Sequence, residues 1–496
     1  MYKRQGYDVA DYRNIDPMFG TMEDLDNLIA EGEKRNIGLM FDMVFNHTST
    51  SHEWFRRALA GEKKYQDYYI FKEGAPDQPP TNWQSKFGGS AWEYVSSLGK
   101  WYLHLFDVTQ ADLNWKNPEV REELKEVIRF WKAKGVKGFR FDVVNLISKP
   151  EIWEDDFEGD GRKFYTDGPY VHEYLKELVR DTGIEDYVTV GEMSSTTLEH
   201  CIRYSGAEEK ELSMCFNFHH LKVDYKDGNK WELMEPDYME LKVIFEKWQM
   251  GMQRGNAWNA LFWCNHDQPR IVSRFGNEGE YWKESAKMLA GMIHLMRGTP
   301  YIYQGEEIGM TNPHYTSIEQ YADVESRNYY EILLNEGKTK EEALEILAAR
   351  SRDNSRTPMQ WTDERYCGFS DTKPWIPVSD NFEKINVKKQ KQDRDSILEF
   401  YKKLIMLRKE KEVIARGNIE FMEVENAGVL AYTRCLDKQK LLVCCNFRDV
   451  ESQMEFTQEW KSGRKILGNY EENHKNNYKV LTLRPYEIIV LEKGEE

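Results

Sequence analysis

The feature that most constrains this chain is the alternation of short runs rich in β-branched and aromatic residues with amphipathic helical stretches. Residues 37–46 (IGLMFDMVFN), 136–144 (VKGFRFDVV), 187–193 (YVTVGEM), 211–218 (ELSMCFNF), 258–267 (WNALFWCNHD) and 299–307 (TPYIYQGEE) read as strands. Helical periodicity covers 23–36, 118–135 and 283–298. Strand, helix and strand in that order predict a parallel sheet with helices outside it.

Polar residues recur where these strands end: Asn46 with His47, Asp142, Glu192, His266 with Asp267, and Glu306 with Glu307. A (β/α)8 barrel gathers such strand-end residues on one face, whereas a doubly wound sheet would carry a GxGxxG turn, and no strand here is followed by one. The expected fold class is therefore α/β, a (β/α)8 barrel. Six strands are legible where eight close such a barrel, and the opening MYKRQGYDVADY shows no strand before the helix at 23–36. The first two βα units are accordingly expected to be absent from this chain, with 1–46 the remaining first part of the catalytic barrel. Residues 47–112, long and rich in Trp, Gly and Pro, are expected to form a loop-rich subdomain inserted over the active site. The barrel would resume over 113–409, and the short alternating runs of 410–496 predict a C-terminal antiparallel β domain.

Composition narrows the partners. With 85 acidic against 68 basic side chains and a formal charge of −17, the chain lacks the basic balance of a nucleic-acid binder. No apolar run approaches the ~18 residues of a membrane span. Small molecules are the expected partners, with neither nucleic acid nor membrane. Seven cysteines without metal-ligand spacing fit reduced thiols in a cytoplasmic protein, with Cys444 and Cys445 filling a strand, and no metal or cofactor site is read.

Arg140 and Asp142 interrupt the apolar run VKGFRFDVVN two residues apart, on one strand face, where the guanidinium can keep the carboxylate ionised and aimed. Asp142 and Glu192 end consecutive strands, and Asp267 ends a later one. One such acid alone is ordinarily an ion-pair partner or a helix cap. Three, each with a basic or imidazole neighbour, point to chemistry. Two carboxyl groups about 5 Å apart serve a retaining glycosidase as nucleophile and proton donor. Crowded anions would raise the pKa of Glu192, as a donor needs.

The ordered motifs FDMVFNH (41–47), QADLNW (110–115), GFRFDVVN (138–145), VGEM (190–193), NHDQPR (265–270) and GTPYIYQGEEIGM (298–310) resemble those of the α-amylase superfamily, and most of all its retaining α-glucosidases. The resemblance implies Asp142 as nucleophile, Glu192 as general acid/base and Asp267 as the acid that binds the distorted sugar. It implies further sugar contacts from Tyr7, His47, Phe106, Arg140, His266 and Arg356. The family's aspartate ahead of the GYD tyrosine is replaced by Arg4. The stretches at 162–175, 191–204, 216–231 and 256–276 resemble members that hydrolyse a phosphorylated disaccharide, with Lys222 and then His220 as candidate phosphate ligands. Oligo-1,6- or dextran glucosidases of short α-glucans are the alternative. A non-catalytic relative would have lost the acids, and all three are present.

Overall fold

The computed structural model describes residues 7–455, 457–471 and 479–493, so Arg4 lies outside the described residues. The chain divides into two compact units, Met1–Phe218 with Gly255–Trp258, and His219–Arg254 with Asn259–Glu496.

In the first unit four parallel strands pair in the order Met40–Met43, Gly138–Phe141, Val188–Glu192, Met214–Phe216. The register sets Asp42 opposite Arg140 and Phe141 opposite Gly191, so residues from three strands meet at one end. The helix Pro118–Lys134 feeds the second strand. Asn117 caps it with Pro118 in its first turn, where a missing N–H is harmless, and Gly135 ends it at φ 101°, a left-handed position that favours glycine. Its inward stripe of Val120, Leu124, Val127, Ile128 and Trp131 is buried. Each aliphatic residue of that stripe contributes about 1.5–3 kcal/mol. Trp131 packs at a tilt on Phe41, 4.9 Å between ring centroids, and donates its indole N–H to the Tyr12 carbonyl at 2.8 Å.

Residues 47–112 are more ordered than their Gly- and Pro-rich sequence implies. Strands His47–Ser49 and Gln110–Asp112 pair at the root, and Phe71–Glu73, Lys100–Leu103 and Trp92–Val95 form an antiparallel sheet. The alternation is obscured in sequence because the strands are only three or four residues long and Trp83, Trp92, Trp101, Leu103 and Leu105 supply the core.

The second unit contains a parallel pair, Ala260–Leu261 with Thr299–Pro300, and the helices Tyr238–Arg254 and Trp282–His294. These two strands are far shorter than the runs at 258–267 and 299–307 predicted, because the strand-end residues enter turns. A helical pair, Val324–Asn335 and Lys340–Arg350, packs around Trp231, Tyr321, Leu333, Ala343 and Leu347. The chain closes with the expected antiparallel sheet, in the order Asn418–Met422, Val429–Leu436, Gln439–Asn446, Ile488–Lys493, Arg464–Gly468. Cys444 and Cys445 are both fully buried in its central strand, and all seven cysteines are unpaired. Adjacent strand residues face opposite ways, so this strand is covered on both faces. Among the described residues no helix is long and apolar enough to cross a membrane, and no group of His, Cys, Asp or Glu is arranged to hold a metal ion.

Candidate active site

Arg140 links the first unit's candidate residues. It and Asp142 point to one face of the strand end, and its Nη1 lies 3.0 Å from Asp142 Oδ1. The same nitrogen pairs with Asp42, and Nη2 pairs with Glu192. The sequence pairs Arg140 with one carboxylate; the structure gives it three. Burial works against the Arg140 charge, yet Asp42 and Asp142 outweigh it and raise the guanidinium pKa. Directly after Asp142, Val143 is held at φ 37°, a left-handed conformation in which a β-branched residue is strained by about 1–3 kcal/mol. Before Glu192, a Cβ at Gly191 would lie 2.5 Å from Met193 Cε and 2.6 Å from Leu212 Cδ1, so a side chain there would displace both tips.

Tyr7 closes this cluster. Its hydroxyl donates to Asp42 Oδ2 at 2.6 Å, and Arg140 lies over its ring at 5.8 Å. Burial and then the Asp42 charge push the phenol well above its ordinary pKa, so it remains a donor. The Tyr7 carbonyl lies 2.9 Å from Nε2 of the buried His47, whose Nδ1 faces the Asn46 amide nitrogen at 3.3 Å. Gln110 Nε2 also reaches the Tyr7 carbonyl, at 2.9 Å, and Phe106 packs 5.2 Å from the His47 ring. Tyr7, His47, Phe106, Arg140, Asp142 and Glu192 are thus one contiguous group. Asp42 and Gln110 join it without having been singled out in the sequence. The available signal for Asp42 was a charge inside an apolar strand, the same signal that marks Arg140 and Asp142.

In the second unit Asp267 is set by a turn in which its N–H donates to Asn265 Oδ1 at 2.7 Å. Arg356 donates Nη2 to Asp267 Oδ1 at 2.5 Å and Nε to the His266 carbonyl at 2.7 Å. Arg352 Nη1 stands 3.6 Å from Asp267 and its Nη2 lies 2.6 Å from Asp323. Burial opposes the Asp267 charge, but His266, Arg352 and Arg356 outweigh it and hold the carboxyl well below its ordinary range. His266, Asp267 and Arg356 are therefore together as expected. Arg352 and Asp323 are additions that the sequence reading did not single out.

The two phosphate candidates fare differently. His220 is buried among Phe245, Phe262 and Trp263, with Nε2 2.8 Å from the Phe262 carbonyl. Burial pushes its pKa down to about 4, so near neutral pH it is an uncharged core residue and supplies no cation. Lys222 is exposed and ends the same short turn, its backbone N–H donating to the His219 carbonyl.

A paired acid site of this kind belongs to glycosidases, and the chain belongs to the alpha-amylase family: residues 2–417 match its catalytic domain, a (β/α)8-barrel domain, and 419–490 match the maltogenic amylase C-terminal domain. It is 52% identical over 492 residues to a trehalose-6-phosphate hydrolase of Escherichia coli (strain K12), covering 98% of this chain and 88% of that protein. An oligo-1,6-glucosidase of Bacillus cereus is 44% identical over 495 residues, with 98% and 88% covered. Among solved structures, the trehalose-6-phosphate hydrolase of Bacillus licheniformis superposes with a TM-score of 0.94 at 50% identity, covering 99% of this chain and 89% of that one.

Proposed function

We propose that the chain is a cytoplasmic retaining α-glucosidase that hydrolyses trehalose 6-phosphate to glucose and glucose 6-phosphate. Asp142 attacks the anomeric carbon while Glu192 protonates the departing oxygen, which leaves a glucosyl ester on Asp142 and releases glucose 6-phosphate. Glu192, now a carboxylate, takes a proton from water, and the hydroxide formed displaces Asp142 to give glucose with the original configuration. Asp267, kept anionic by Arg352 and Arg356, binds sugar hydroxyls and offsets the positive charge of the transition state. The observation that carries this function is Arg140, one guanidinium that pairs with both Asp142 and Glu192; a nucleophile and an acid set close together are what a retaining mechanism needs. Its pair with Glu192 must open when the acid is protonated, so Arg140 positions both groups and then yields one.

The identity to trehalose-6-phosphate hydrolases across nearly the whole chain supports the phosphorylated substrate, with Lys222 as its phosphate ligand. The neutral, buried His220 favours the second reading, an oligo-1,6-glucosidase, because it removes one of two cations sought for phosphate. Product analysis separates them. Trehalose 6-phosphate should be cleaved with the higher kcat/KM and yield glucose 6-phosphate; faster cleavage of isomaltose would overturn the proposed substrate.

A further inference from the structure

The first unit contains a cavity of about 310 Å³ whose lining includes none of the Arg140 cluster. That volume falls at the small end of the ~300–1,000 Å³ range of ligand pockets. Lys72, Lys100, Lys116 and Lys149 all line it, an exception in a chain of net charge −17. Lys149 is committed elsewhere, its ammonium bonded to Asn46 Oδ1 and Asp112 Oδ2, each at 2.7 Å. The other three lack such partners: among the described residues none forms an ion pair with a carboxylate. Lys72 lies over the Trp153 ring at 4.8 Å, Lys100 meets the Gln66 amide oxygen at 3.2 Å, and Lys116 the Pro150 carbonyl at 3.2 Å. Burial first, and then the charge of the neighbouring Lys116, lower the Lys72 pKa. Trp153, with Lys72 over its ring, borders the cavity, and Asp67, Asn114 and Glu151 also line it.

Two neighbouring ammonium groups, an indole and hydrogen-bonding side chains in one small cavity match a sugar ring that carries a phosphate. We propose that this cavity is a second ligand site, which binds a phosphorylated hexose with its phosphate between Lys72 and Lys116 and its ring beside Trp153. The choice of hexose rests on the proposed hydrolysis, which releases such a product; the anion site does not.

The test uses the full chain labelled with 5-fluorotryptophan, the Trp153 resonance being assigned with Trp153→Phe. Glucose 6-phosphate, inorganic phosphate and glucose are titrated separately. Glucose 6-phosphate should shift the Trp153 signal saturably and bind at least about tenfold more tightly than either of the others. The Lys72→Ala/Lys116→Ala double variant should weaken that binding at least about tenfold and leave kcat/KM for an aryl α-glucoside unchanged. No response to glucose 6-phosphate up to roughly 10 mM, equal binding of glucose or of inorganic phosphate, or undiminished binding by the double variant would overturn the proposal. A chain that responds at Trp153 but does not cleave trehalose 6-phosphate would refute the proposed substrate and keep the anion site.

Discussion

Replacing Arg140 by glutamine removes a cation that Asp42, Asp142 and Glu192 share. The side chains of Arg140, Asp142 and Glu192 are only 16%, 10% and 16% exposed, so solvent replaces little of that charge. At an effective dielectric constant near 20, two unit charges about 4 Å apart interact by roughly 4 kcal/mol. Since 1.36 kcal/mol corresponds to one pKa unit, the upper bound is a shift of about three units; partial solvation reduces the expected value to about 1–2. The sign follows from what the cation did: it favoured the carboxylate form, so its loss favours the protonated form of the nucleophile. The acid limb of the kcat/KM profile for an aryl α-glucoside should therefore move upward by about 1–2 pH units. Neutral-pH activity should fall at least about a hundredfold, because aim as well as charge is lost. Arg140→Lys should restore part of the charge effect and less of the rate, since a single ammonium cannot hold Asp142 and Glu192 on separate nitrogens. An Arg140→Gln enzyme with an unmoved acid limb and activity within about threefold of the parent would refute the assignment.

Asp142→Asn should retain less than about one thousandth of kcat with an unchanged circular dichroism spectrum and melting temperature; substantial turnover by this variant would remove Asp142 as nucleophile. The Asp323 carboxyl, opposed by burial but drawn down to about 2 by Arg352 and Arg356, lies below its ordinary 3.8, so its stabilisation is present above about pH 4 and is lost as pH falls towards 2. Urea titrations across that window should show a smaller loss in Asp323→Asn than in the parent, and equal losses would contradict the ion-pair account. Lys222→Ala should raise KM for trehalose 6-phosphate at least about tenfold while leaving an aryl α-glucoside nearly unaffected; equal effects on both would exclude Lys222 as the phosphate ligand.

What the sequence alone determined was the alternation of strand and helix, the antiparallel close of the chain and the identity of the acids at strand ends. These are local quantities. A period of two residues, a period of 3.6, and a charge stranded in an apolar run can each be read within a dozen positions. The six expected strands all recur among the described residues as parallel partners, with 258–267 and 299–307 much shortened. Resemblance between ordered motifs then supplied roles that spacing alone left open.

Only the tertiary structure decided the partners. Asp42 joins Arg140 because parallel register sets them opposite each other across two strands almost a hundred residues apart. His220 looked like a cation beside Lys222, yet Phe245, Phe262 and Trp263 come from other segments to bury it and hold it neutral. The strands within 47–112 likewise became legible only through the core they share with Val143, Leu146 and Tyr165, because strands of three or four residues carry too few alternations to show a period. Residue type and local pattern determine which groups are available for chemistry. Burial and the charges brought in from distant segments decide which of them are ionised, aimed or silent.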